Sequence, residues 1–233
     1  MNTLVAVLIA FLALRDNGSL EGRPLTVASF STTVEDQDAA VKKNIAIACG
    51  KIHGYVFMPG SVFSFNEVVG EGSARNGYVD GRVLYRDEVR YEPGGGLCQL
   101  SSTVFNALLL AGCAIVERHR HFQPVTYVPP GLDATIKYGK KDLRIRNSHP
   151  MKLFVEASVS DKRLLVEIKA VRALPRRYEV YTEEEEAEVP LGGETRNVRH
   201  GINVSVYRNT FSGESLLESL LLYRDYYPPV YLK

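Results

Sequence analysis

Gly94-Gly95-Gly96-Leu97-Cys98-Gln99-Leu100-Ser101-Ser102-Thr103 runs from three glycines through a cysteine into an apolar stretch over 104–110, with Gly112 behind it. Glycine has no Cβ, so three in a row permit close backbone approach and conformations closed to other residues. The apolar run with a glycine just past its end predicts a buried helix and its stop. Cys98 then stands near the N-terminus of that helix. Unpaired N–H groups and the positive end of the helix dipole favour a thiolate there over a thiol. Free cysteine also serves as a small buried apolar group, so the position admits both chemistry and packing.

Within that helix Gln99, Ser102, Thr103 and Asn106 recur at i, i+3, i+4 and i+7, a polar stripe in an apolar segment. Buried polar groups need partners. The stripe therefore either lines a cleft or knits the helix to the chain around it.

Working outward, residues 36–52 predict an amphipathic helix closed by His53-Gly54, preceded by a short extended segment over 25–31. Pro59-Gly60 marks a turn and residues 62–65 alternate as a strand does. Gly70, Gly72, Gly77 and Gly81 punctuate the roughly thirty residues that follow, which read as a long binding loop or lid. After the central helix the period changes to two. Residues 114–121, 126–128, 134–138, 143–146, 153–159 and 164–171 read as strands, joined by turns such as Pro129-Pro130-Gly131 and Ser160-Asp161-Lys162. The expected fold class is α+β: an N-terminal helix and a buried central helix packed on a mainly antiparallel β-sheet.

Past Pro175 the acidic run Glu183-Glu184-Glu185-Glu186 reads as a solvated turn, and residues 203–209 and 217–223 as a hairpin around Ser212-Gly213-Glu214. Residues 226–231 read as an extended arm. The chain thus divides into a leader (1–20), a core domain (21–173) and a β-rich C-terminal extension (174–233).

Charge excludes one class of partner. With 28 basic and 27 acidic side chains the net charge is +1, and no basic cluster marks a nucleic-acid surface. The apolar run over 4–14 is shorter than the roughly 20 residues that span a bilayer and suits a signal-type segment. No Lys or Arg precedes it and no small-residue cleavage site follows. The expectation is an extracytoplasmic or membrane-associated protein, tethered or exported through this leader. The competing expectation is a buried element of the fold in a cytoplasmic protein. Three cysteines, Cys49, Cys98 and Cys113, are too few and too odd for a disulfide scaffold. Cys49 shares a stripe with Val41, Ile45, Ala48 and Ile52, and Cys113 opens an apolar segment; both read as core.

Pro59-Gly60, Phe63-Ser64-Phe65-Asn66, Val69-Gly70, Gly77-Tyr78, the block over 94–102, Glu117-Arg118 with His121, and Asp142-Leu143 with Arg146-Asn147 together resemble the VanW-like family. The resemblance runs from about residue 25 to beyond 171. It implies a bacterial cell-envelope protein of the kind associated with vancomycin-resistance gene clusters, in some members joined to peptidoglycan-associated modules. It brings no catalytic residues with it, so a site must be read from the chemistry.

A thiol enzyme needs a thiolate, a base, a group that orients the base and donors for a developing oxyanion. The order here is Cys98, then His121, then Asp133 or Asp142, with Asp133 preferred. His119 and His121 share one face if their segment is a strand, and His121 matches the family pattern. Glu117 on that face is placed to orient His119. The glycine run and the Gln99 amide are candidate oxyanion donors. His53 and His149 adjoin turns and are expected to be exposed. A competing reading takes Cys98, His119 and His121 as zinc ligands, but the second short-spaced pair of a closed zinc site is missing. No other cofactor is expected.

Two functions of different classes follow. The first is a cysteine-dependent hydrolase or acyl-transferase on peptide bonds of the cell wall. The second is a non-catalytic module that binds a wall polymer or an envelope protein through the glycine-rich loop and Tyr78, Tyr85 and Tyr91.

Overall fold

A computed structural model describes residues 7–9, 24–85, 88–187 and 198–231. The first half of the chain forms β1 (Val7–Ile9), β2 (Leu25–Thr33), α1 (Ala39–Ile52), β3 (Tyr55–Phe57), β4 (Val62–Ser64), α2 (Phe65–Val69), β5 (Asp80–Tyr85), β6 (Glu88–Pro93) and α3 (Leu97–Leu110). The second half is nearly all strand: β7 (Ala114–Glu117), β8 (Arg144–Arg146), β9 (Leu153–Val159), β10 (Arg163–Ala170), β11 (Arg177–Ala187), β12 (Val198–Arg199), β13 (Gly201–Ser212), β14 (Ser215–Tyr227) and β15 (Val230–Tyr231). The fold is α+β, and every strand pair among the described residues is antiparallel.

Helix α3 is the centre of the molecule. From Leu97 to Leu110 every side chain except Cys98 is buried, so the helix needs an apolar partner on all sides. The sheet β2-β10-β9-β3 covers one side, α1 a second and the long strand β11 a third. β9 and β10 alternate buried and half-buried residues along their length, as strands with one face on a core do. α1 starts where Asp38 accepts from the Val41 N–H at 2.7 Å, and it turns Val41, Ile45, Ala48, Cys49 and Ile52 inward. The second major sheet, β1-β11-β13-β14, is built from the C-terminal extension and the short strand Val7–Ile9. The rest of the apolar leader lies outside the described residues. Among the described residues no helix is long and apolar enough to cross a membrane.

Several expected elements take another form. The glycine-rich stretch after Phe65 is not an open loop: it holds α2, a 3-10 turn over Ala74–Asn76 and the hairpin β5–β6. Strand β7 stops at Glu117, and no strand forms over 126–128 or 134–138. There the chain wraps as an irregular segment in which Leu132 O and the Ala134 N–H bond to side chains of α3 and the Thr135 N–H to His119 O. The acidic residues Glu183 to Glu186 do not make a turn; they lie inside β11, paired with residues 202–205 of β13. The hairpin around Gly213 forms as expected, with longer arms. Residues 230–231 of the expected arm pair with β12.

Candidate active site

The helix opening at Cys98 is built by the glycines before it. Gly96 sits at the N-cap with φ +101°, and a Cβ there would lie 2.9 Å from Ile45 Cγ1 and Val41 Cγ1 of α1. A Cβ on Gly95 would lie 2.6 Å from the Gly81 backbone of β5. Only glycine permits this seat, and no side chain caps the helix. The Leu97 N–H donates to Gly94 O, and those of Gln99 and Leu100 donate to Gly96 O. The Cys98 N–H has no acceptor among the described residues, which leaves the amide of the cysteine itself open at the positive end of the helix.

The polar stripe knits the helix and does not line a cleft. Ser102 Oγ donates to Cys98 O at 2.8 Å and accepts from the Ala134 N–H at 2.9 Å. Asn106 Nδ2 donates to Leu132 O at 2.7 Å. These two side chains pin residues 132–134 along α3 and so fix where Asp133 points. Thr103 meets Thr32 at 3.0 Å. The Gln99 amide donates to Thr32 Oγ1 and Thr33 O and accepts from Gln37, which removes it as an oxyanion donor.

Cys98, His121 and Asp133 come together. Asp133 is 1 % exposed and takes four donors: Oδ2 accepts from the His121 backbone N–H and from His121 Nδ1, both at 2.6 Å, and Oδ1 accepts from Tyr227 OH at 2.6 Å and Arg118 Nη2 at 3.0 Å. Burial alone would raise its pKa, but the His121 hydrogen bond and the Arg118 charge outweigh that and hold it down at about 2. With Nδ1 committed to the carboxylate, Nε2 of His121 is the ring nitrogen left for Cys98. Burial works against the imidazolium, yet Asp133 on one side and Cys98 on the other raise its pKa to about 9. The Cys98 thiol is likewise pushed up by burial and brought below its ordinary value by the His121 hydrogen bond and charge, with Thr135 adding to this. Its sulfur lies 3.5 Å from Thr135 Oγ1, and the residue as a whole is half-buried. The arrangement shifts the pair towards thiolate and imidazolium.

Four residues that sequence reasoning missed support Asp133. Arg118, 5 % exposed, donates through Nε to Asp133 O at 2.7 Å and through Nη1 to Asp225 Oδ2 at 2.6 Å. Its guanidinium lies 4.7 Å from the Tyr223 ring centroid. Tyr227 OH also accepts from the Gly131 N–H at 2.9 Å, and Tyr223 OH donates to Gly131 O at 2.8 Å. Charges thus alternate along Cys98, His121, Asp133, Arg118 and Asp225. Three of these supports come from β14, 90 or more residues beyond Asp133 in the chain, where no local pattern announces them.

The other candidates separate. Asp142 is spent on α2: it accepts from Ser64 Oγ at 2.5 Å and from the Asn66 N–H at 2.9 Å. His119 turns to Glu117, with 2.9 Å between Nε2 and Oε1, and the reason it parts from His121 is that no strand runs through them. Among the described residues no three His, Cys, Asp or Glu side chains converge as a metal site, so Cys98, His119 and His121 are not a ligand set. His53 is exposed, but His149 is buried, with Nε2 donating to Ala111 O at 2.6 Å. Cys49 and Cys113 are core, and burial pushes each thiol up to about 12. Tyr78 is 2 % exposed under Lys51, so it presents no contact surface; Tyr91 is exposed, and the Tyr85 side chain lies outside the described residues.

The family model described as "VanW like protein" matches residues 40–169. The chain is 36% identical over 131 residues to the uncharacterized protein YoaR of Bacillus subtilis, a stretch covering 56% of this chain and 43% of that protein. It is 26% identical over 142 residues to the Vancomycin B-type resistance protein VanW of Enterococcus faecalis, covering 59% of this chain and 52% of the relative. The chain therefore spans about half the length of these curated relatives. No solved structure matches.

Proposed function

The chain belongs to the VanW-like family, and on that premise we propose that it is a cysteine-dependent hydrolase or acyl-transferase acting on peptide bonds of the cell envelope. The observation that carries this reading is the thiol of Cys98, opening α3 beside an imidazole that a buried, four-donor carboxylate orients. The three groups do what nucleophilic acyl transfer demands. The Cys98 thiolate attacks the carbonyl carbon, forming a C–S bond while the π electrons move to oxygen. On collapse the C–N bond breaks, and His121 gives its proton to the leaving amine. Water or an acceptor amine then attacks the thioester with His121 as base, the C–S bond breaks and the thiolate returns.

The envelope as the place of action rests on the vancomycin-resistance relative. Cell-wall peptide is the substrate class proposed on the same grounds. The test is incubation of the full chain with purified peptidoglycan, scoring newly exposed amines. Wild-type protein is expected to release them, and Cys98→Ser and His121→Ala proteins to fall to background. Equal release by all three, or none by the wild type, removes the catalytic reading and leaves a wall-binding module, to be scored by co-sedimentation with the same material.

A further inference from the structure

Tyr127 carries a hydroxyl out of contact with solvent and without a hydrogen-bond partner among the described residues. Its ring stands edge-on to that of His121, with centroids 6.4 Å apart and planes at 82°. The Ser102 hydroxyl approaches Tyr127 closely enough to lower its pKa, but its own hydrogen bonds run to Cys98 O and from the Ala134 N–H. An orphaned buried hydroxyl destabilises the fold, because its lost hydration is not replaced. Folded proteins satisfy such groups almost everywhere, so one left open on the residue whose ring packs against His121 points to a partner that arrives with the reaction.

Resting on the acyl-transfer reading above, we propose that the Tyr127 hydroxyl is a catalytic residue that donates a hydrogen bond to the acyl oxygen as Cys98 attacks, sharing that oxygen with the Cys98 N–H. Two features of the site suit it to the task. Burial, and next the charge of Cys98, hold the phenol well above its ordinary pKa, so it stays protonated and remains a donor. The amide of Cys98 is the one N–H in the first turn of α3 that the glycine carbonyls leave unspent. Neither donor has to be released from another bond when charge builds on the oxygen, and that pre-organisation is what makes such donors effective. The Gln99 amide, bonded on both its atoms, lacks this freedom.

The experiment separates a step that forms an oxyanion from one that does not. Acylation of Cys98 by p-nitrophenyl acetate passes through a tetrahedral oxyanion, whereas alkylation by iodoacetamide displaces iodide at a saturated carbon. Both are followed at pH 7 under pseudo-first-order conditions in the wild type and in Tyr127→Phe, with Cys98→Ser as background. Phenylalanine keeps the ring and removes only the hydroxyl. The expected result is acylation slowed by roughly 10²–10³-fold, alkylation within about twofold of wild type, and a melting temperature unchanged or higher, since an unsatisfied polar group is gone. Acylation at the wild-type rate overturns the proposal. So does a parallel loss of acylation and alkylation, which would make Tyr127 a support of the thiol or of the fold. Wild-type protein that alkylates at Cys98 yet is not acylated overturns the acyl-transfer reading itself.

Discussion

The two ends of α3 carry the same kinds of side chain and put them to opposite uses. Cys98, His121 and Arg118 gather at its N-terminus; Cys113, His149 and Arg208 gather past its C-terminus. At the first end His121 is held by a carboxylate and faces the thiol. At the second, His149 donates to the helix carbonyl of Ala111, Arg208 donates to Cys113 O at 2.8 Å, and the thiol is fully buried. Surroundings set the difference. At the first end His121 and Thr135 outweigh burial and bring the thiol down, while at the second burial dominates and pushes the thiol up, with His149 and Arg208 spent on carbonyls. Residue type alone does not make a reactive cysteine.

The sharpest way to break this contrast is alkylation at pH 7 with peptide mapping. Cys98 is expected to react about 10²–10³-fold faster than Cys113, whose thiol lies near 12. Comparable labelling of both in the folded protein would erase the distinction. His121→Ala should slow Cys98 labelling roughly 10²-fold and leave Cys113 as it was.

Next in size is Asp133→Asn, which leaves Arg118 buried with only Asp225 for charge. A loss of about 3–5 kcal/mol by denaturant unfolding is expected, while removal of a donor at the other end, His149→Phe, costs about 1–2 kcal/mol and spares Cys98 labelling. If the two substitutions cost the same, the carboxylate is not the keystone of its end.

pH sharpens the comparison further. The His121 pKa is raised from 6.5 to about 9, so its share of stability is complete below 6.5 and disappears as pH climbs through 9. The Asp133 pKa is lowered from 3.8 to about 2, so its share is complete above 3.8 and vanishes as pH drops through 2. Urea midpoints across pH 5–10 should therefore decline between about 6.5 and 9 in the wild type and level off above, and this step should be absent from His121→Ala. A step of equal size in both proteins would assign it elsewhere. Tyr227→Phe should cost less than Asp133→Asn: one charge-assisted bond to Asp133 is lost, about 1.5–3 kcal/mol in stability and several-fold in acylation.

Much of this was legible in the sequence. α1, α3, β9, β10 and the β13–β14 hairpin follow from strong apolar periodicity and clear stop signals, and Cys98 follows from the glycines before it. The segment from 118 to 138 misleads because its alternation has another source. Val128, Leu132 and Ala134 are buried against the fold as strand residues would be, but Leu132 O and the Ala134 N–H bond to Asn106 and Ser102 and not to a neighbouring strand. The acidic run misleads in reverse, since charge suggests a turn while the register with β13 holds a strand. Tyr227, Tyr223 and Asp225 read as ordinary hairpin residues. Only the folded chain brings them to Asp133.

The hairpin β13–β14 lies outside the stretch over 40–169 that the family model matches, yet it shields Asp133 and Arg118 from water. The unit of kinship and the unit of chemistry therefore have different borders. A fragment cut at the former would hand the carboxylate back to solvent, where the same histidine and cysteine would lose the low-dielectric surroundings that couple them.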